Sequence, residues 1–226
     1  MGTQPGLKAR VTASWSRLSW LVTIVVLALC ANPLVVRAVA ETEAQQDPTD
    51  VLRKEHQLIQ KMVRAAQQEA TDIQQSGKVD RARIGKFHDF FKNFADKCHH
   101  AKEERELFPV LREVGVDTVV IHLVVKQHEE GRILLGGVEE WLAAADKGEE
   151  ADPQALRRYL LEYATLMQRH IATENEYLWP RAAAQLSDAQ KGALAEAFYR
   201  IEVEELGKGF HEKYHGLTME VLGKSE

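Results

Sequence analysis

Apolar residues recur at intervals of three and four along most of the chain. Leu52, His56, Ile59, Val63 and Ala66 form one such stripe. Ala95, His99, Glu103 and Leu107 form another, and Ile121, Val124, Val125, His128 and Leu135 a third. This period is that of a helix with one buried face, and no stretch alternates with period two for long enough to make a strand. The ends of the periodic stretches are marked. Asp47-Pro48 opens one that stops at Gly77, Asp80 opens one that stops near Gly115, Asp117 one that stops at Gly148, and Asp152-Pro153 one that runs to about Pro180. An Asp side chain accepts the free amides of a first turn, Pro at the first helical position loses no bond, and Gly takes the left-handed conformation that closes a last turn. A fifth stretch begins at the capping box Ser187 to Gln190 and breaks near Gly207 and Gly209. Four helices of about thirty residues joined by short turns must run antiparallel to their neighbours. The expected fold is all-α: an up-down-up-down four-helix bundle over residues 41–182, with a C-terminal helical extension over 183–226.

The first forty residues have a different pattern. Lys8, Arg10 and Arg17 precede an apolar run from Leu18 to Leu29, and Ala38-Val39-Ala40 follows as a small-residue cleavage pattern. That is the layout of an export signal, which makes the body exported, periplasmic or secreted. Leu18 to Val36 is nearly long enough to serve instead as an uncleaved membrane anchor, although Asn32 and Pro33 interrupt it. A lipid anchor at Cys30 is disfavoured by the bulky Leu29. With Cys30 in the signal, Cys98 is alone and no internal disulfide can form.

Charge removes one class of partner. The chain of 226 residues carries 29 Lys plus Arg against 34 Asp plus Glu, and the first forty residues hold four of the bases and none of the acids. The body is therefore acidic and unsuited to gripping a nucleic-acid backbone.

Candidate chemistry lies in the histidines. In an antiparallel bundle, residues equally far from a turn lie side by side, at roughly 1.5 Å of rise per residue. His56 lies 21 residues before Gly77 and His99 lies 19 after Asp80, so the two are level. The same counting sets Glu103 beside His128 and His128 beside His170. All four helices thus offer a histidine to one layer, each on its apolar stripe, whereas His88 and His122 find no ligand-type partner at their depths. A carboxylate on a buried stripe must find a cation, a hydrogen bond or a proton. An internal repeat adds to this: His99-His100-Ala101-Lys102-Glu103 through Phe108-Pro109 aligns with His170-Ile171-Ala172-Thr173-Glu174 through Trp179-Pro180. The repeat selects His99 with Glu103, and leaves His100 and Glu104 as exposed or supporting residues. Two copies of an i, i+4 His–Glu pair, with one histidine from each remaining helix, give pseudosymmetric ligation of a metal pair. Imidazole with carboxylate suits non-haem iron, with manganese and zinc less favoured.

The stretches CHHAKEERELFP, QHEEGR and HIATENEYLWP resemble the hemerythrin-like, or HHE cation-binding, domain family over about residues 48–180. The resemblance implies a di-iron centre bridged by Glu103 and Glu174, with His56 and His99 on one iron and His128 and His170 on the other. Oxygen-carrying members place two histidines four apart on the third helix. Here Val124 and Arg132 stand four before and four after His128. One iron is thereby left a histidine short, which sets iron binding, peroxide or nitric oxide reactivity and redox sensing beside oxygen carriage. The implied partner is a small diatomic ligand or peroxide, and a binding or sensing module is favoured over a turnover enzyme.

Two other classes compete. His211-Glu212-Lys213-Tyr214-His215 spells H-E-x-x-H, the pattern of a zinc peptidase, although little chain follows it for a third ligand and the tail reads as a solvated helix. A purely structural bundle that binds a partner through acidic runs such as Glu202 to Glu205 is the third. Tyr163, Met167, Phe87, Phe90, Phe91 and Phe94 read as core, and Cys98 as a buried, inert thiol.

Overall fold

The computed structural model describes residues 47–223, which belong to one compact unit. The expected export signal, its alternative anchor and Cys30 lie outside the described residues. Among the described residues the structure is all-helical, and no helix is long and apolar enough to cross a membrane.

The caps form as their residue types require. α1 (Pro48–Ser76) starts where Asp47 accepts the Thr49 amide at 2.9 Å, and it ends at Gly77 with φ 65°. α2 spans residues 81–113, with Asp80 accepting the Arg83 amide at 3.1 Å. α3 (Thr118–Asp146) begins on Asp117, and α4, residues 153–185, begins on Asp152. α5, residues 188–205, opens with both bonds of the Ser187–Gln190 capping box in place. α6 (Phe210–Val221) follows a break at Gly207 and Gly209, both with positive φ.

Three helices depart from regular α geometry: α5 over Arg200–Glu205, and α2 and α4 at matching places. α2 widens into π-helix over Phe90–His100 and again over Lys102–Leu107, and α4 widens over Glu174–Leu178. These stretches hold His99, His100 and Glu103 of one repeat and Glu174 of the other, His170 lying in the regular helix just before it, and single π turns are common at functional sites. They also correct one boundary. The fourth helix does not stop near Pro180 but continues through Trp179–Gln185, just as α2 continues past Pro109 through Phe108–Glu113. Proline breaks an α-helix because its ring meets the carbonyl four residues back and it has no N–H to donate. The wide turn that ends two residues before each proline changes that pairing and lets the helix run on.

α1 and α3 both pack along α4, and α2 contacts α1 and α3. The core comes in two apolar clusters. One contains Ile59, Phe91, Leu135 and Met167, and the other contains Leu52, Leu107, Val124 and Leu178. Along each of the first four helices a histidine falls between a member of one cluster and a member of the other. A polar layer therefore crosses the core, closed above and below by hydrocarbon. The extension packs on both clusters: Leu194 and Phe198 of α5 join one, Tyr214 and Val221 of α6 the other. α6 is therefore not a solvated tail, because Tyr214, Thr218 and Val221 carry one of its faces into the core.

Candidate metal centre

The layer brings together all six side chains singled out from the sequence. α1 supplies His56, α2 His99 and Glu103, α3 His128, and α4 His170 and Glu174; none is more than 1% exposed. The carboxylates lie between histidines from different helices. Glu103 Oε1 is 3.0 Å from His99 Nε2, and its Oε2 is 3.4 Å from His128 Nε2. Glu174 Oε2 is 3.1 Å from His56 Nε2 and 3.2 Å from His170 Nε2. Each carboxylate thus reaches two imidazoles, one on either side of the layer.

The far side of each ring is anchored. His56 Nδ1 is 3.0 Å from Asn175 Oδ1, and His99 Nδ1 is 2.7 Å from Glu55 Oε2. His128 Nδ1 is 2.7 Å from Glu104 Oε1, and His170 Nδ1 is 3.2 Å from Gln127 Oε1. With an oxygen at every Nδ1, each ring has an acceptor for a proton on that nitrogen and turns its Nε2 into the layer. Metal-binding histidines are oriented in this way. Glu104, left by the sequence as either exposed or supporting, supports His128.

The inward-facing atoms lack ordinary partners. Among the described residues, His56 Nε2, His99 Nε2 and both oxygens of Glu103 and Glu174 make no hydrogen bond, while His128 Nε2 and His170 Nε2 face each other at 3.2 Å. Native interiors seldom leave so many buried polar atoms unpaired, and a cation is the species that would satisfy lone pairs of both kinds at once. Burial, with the Glu174 charge beside it, pushes the Glu103 carboxyl well above the usual range. Against the same burial, His170 and His56 hold Glu174 below it. Only a positive charge between the two would let both ionise. Burial lowers His128 to about 4, so its ring is neutral and able to ligate near pH 7.

Within the layer, ligand atoms fall into two groups, each with all its atoms within 4.8 Å of one another, and a third such group, Glu55, Cys98 and His211, lies behind His99. The first holds His56, His99, Glu103 and Glu174; the second holds His100, Glu103, His128 and His170. Glu103 belongs to both. His100 was missed in the sequence because the repeat sets it opposite Ile171, so no second copy marks it. Its ring is neither exposed nor outside the layer: it is 3% exposed and stacks on His128 with centroids 3.8 Å apart.

A second polar cluster backs His99. Glu55 also accepts from Lys102 Nζ at 2.5 Å, and Lys102 donates to Glu202 at 3.0 Å. His211 Nε2 lies 3.1 Å from Glu55 and 3.2 Å from Glu202. Burial would raise the Glu55 carboxyl, but the Lys102 ammonium holds it well below the usual range. Cys98 Sγ, 3.8 Å from His211 Nε2, is buried, and burial with the Glu55 charge pushes its thiol pKa up, which keeps it protonated. Glu55 sits one residue from His56 on α1, and no periodicity in the sequence marked it. The H-E-x-x-H histidines do not converge: His211 faces Glu55, and His215 is exposed and belongs to neither group. His88 is paired loosely with Glu139 at 3.6 Å, and His122 is exposed.

Comparison with known proteins agrees with this geometry. A family model described as the Hemerythrin HHE cation binding domain matches residues 47–182. Among curated proteins the chain is similar to the uncharacterized proteins Mb2018 of Mycobacterium bovis and Rv1995 of Mycobacterium tuberculosis. Each is 22% identical over 161 residues, an alignment that covers 71% of this chain and 63% of the relative. The chain thus spans less than two thirds of the length of these relatives. No solved structure matches it.

Proposed function

This chain belongs to the hemerythrin HHE cation-binding domain family, and from that membership we propose that His56, His99, Glu103, His128, His170 and Glu174 hold a pair of iron ions. The four long helices form an up-down-up-down four-helix bundle around that centre, and α5 and α6 are its helical extension. The protein is exported by residues 1–40 and binds or senses oxygen, nitric oxide or peroxide, or stores iron. When bound, iron would supply redox chemistry and affinity for such a small ligand. The protein supplies imidazoles of fixed orientation, two carboxylates that each reach histidines from two helices, and hydrocarbon above and below that limits water.

The observation that carries the proposal is the reach of Glu103 and Glu174: two buried carboxylates, without hydrogen bonds, each within 3.4 Å of histidines from two helices. No cysteine stands in either ligand group of the layer, and imidazole with carboxylate favours iron over copper or a structural zinc. The test is elemental analysis of the purified protein with its optical spectrum in air. We expect about two irons per chain and oxo-bridge absorption, both abolished by Glu103→Gln with Glu174→Gln in protein that keeps its helical circular dichroism. Bound iron retained by that double variant would refute the ligand set. A single zinc removed by His211→Ala would move the function to the H-E-x-x-H motif.

A further inference from the structure

His100 has no role in the six-residue set, yet it is buried at the centre of the layer. Neither of its ring nitrogens makes a hydrogen bond among the described residues. The nearest carboxylate on its own helix, Asp96, has Oδ1 3.5 Å from His100 Nδ1 and already accepts from Arg132 Nε at 2.8 Å. The ring stacks on His128 with an interplanar angle of 13°, and it presents an edge to His170 at a centroid distance of 5.4 Å and 81°. One of its nitrogens lies within 4.8 Å of ligand atoms from Glu103, His128 and His170.

Packing alone does not explain this residue. The aligned position of the repeat, Ile171, is fully buried in the apolar cluster, so a hydrocarbon side chain serves the equivalent place on α4. An imidazole buried with both nitrogens unpaired is the costlier choice unless something occupies a lone pair. The local backbone accounts for its direction. His99 and His100 are consecutive, and in an α-helix they would point about 100° apart. Here both lie in the Phe90–His100 π segment, whose wider turn narrows that angle and brings two adjacent rings into one layer. On α3, the position one turn before His128 is Val124, which is fully buried in the other apolar cluster and offers no donor.

We propose that His100 is a seventh ligand of the centre, joining His128, His170 and Glu103 at the second cation position. The inference rests on the metal-centre proposal above and adds a residue to it. The two positions then differ: one is held by the imidazoles of His56 and His99, the other by those of His100, His128 and His170. A carboxylate in place of His100 would still donate a lone pair, whereas a hydrocarbon would not.

The experiment is anaerobic titration of the full chain with ferrous iron. Bound metal is counted by elemental analysis, and the two positions are resolved by Mössbauer spectroscopy on iron-57. Wild type should bind about two irons with two distinguishable signals. His100→Leu should bind about one and lose one signal, and His100→Glu should return to about two. Full occupancy by His100→Leu with an unchanged spectrum would overturn the role of His100 and leave the six-residue centre standing. Should His100→Leu lose its helical circular dichroism, His100→Gln takes its place: one iron supports the proposal and two overturn it. Wild type that binds no iron at all would overturn the metal centre itself.

Discussion

Replacing Glu55 by glutamine keeps the shape of a buried side chain and removes its charge. In the folded protein that charge faces the ammonium of Lys102, itself fully buried, and accepts from His99 Nδ1. Because Lys102 holds the Glu55 carboxyl well below the usual range, it is ionised at neutral pH, and its contribution is lost only as pH falls through that depressed value. Deleting one partner of a buried pair costs about 3–5 kcal/mol, since the other charge is left without compensation. Here Glu202, 28% exposed and 3.0 Å from the same ammonium, remains as a second partner. We therefore expect a cost at or just below the bottom of that range, about 2–3 kcal/mol. For a domain of this size each kcal/mol moves Tm by about 2–4 °C, so Glu55→Gln should lower Tm by roughly 5–10 °C. The assay is thermal unfolding of the iron-free protein followed by far-ultraviolet circular dichroism at neutral pH. Adding Lys102→Met should recover part of the loss, because it removes the stranded charge. Glu55 also orients His99, so iron affinity should fall by about 10–100-fold and should not recover in the double variant. A fall in Tm of less than about 2 °C, or a double variant no more stable than Glu55→Gln, would refute the account of the Glu55–Lys102 pair.

Two further outcomes test the packing and the electrostatics away from the centre. A Cβ at Gly137 would lie 2.5 Å from Tyr159 Cζ, where α3 crosses α4, while one at Gly136 would meet nothing within 4 Å. Gly137→Ala should therefore cost about 1–3 kcal/mol and lower Tm, whereas Gly136→Ala should raise stability by about 0.5–1 kcal/mol; matching effects in thermal unfolding would contradict the close approach. Burial lowers the His88 imidazole, and the nearby Glu139 does not offset it. The unfolded chain then takes up a proton first, so stability falls as pH drops below about 6.5, and His88→Gln should flatten that part of the Tm profile. Identical profiles for the two proteins would show that His88 does not contribute.

Much of this protein is local in origin and was legible in the sequence. Asp47, Asp80, Asp117 and Asp152 each cap a helix because a short carboxylate reaches the free amides two or three residues on, and Gly77, Gly115 and Gly148 close turns with positive φ. Equal helix lengths between such markers fix depth, so counting from the turns was enough to place His56, His99, His128 and His170 at one level. The i, i+4 repeat then selected Glu103 and Glu174.

What remained depended on backbone geometry and on contacts between residues far apart in the chain. The π turns follow no simple periodicity, and they decide both that α4 runs past Pro180 and that His100 turns inward beside His99. The Glu55–Lys102–Glu202–His211 cluster joins four residues from α1, α2, α5 and α6, so only the packing of the extension against the bundle could reveal it. Sequence pattern records which face of a helix is buried. The partners that a buried polar atom meets on that face are set by how neighbouring helices turn and dock.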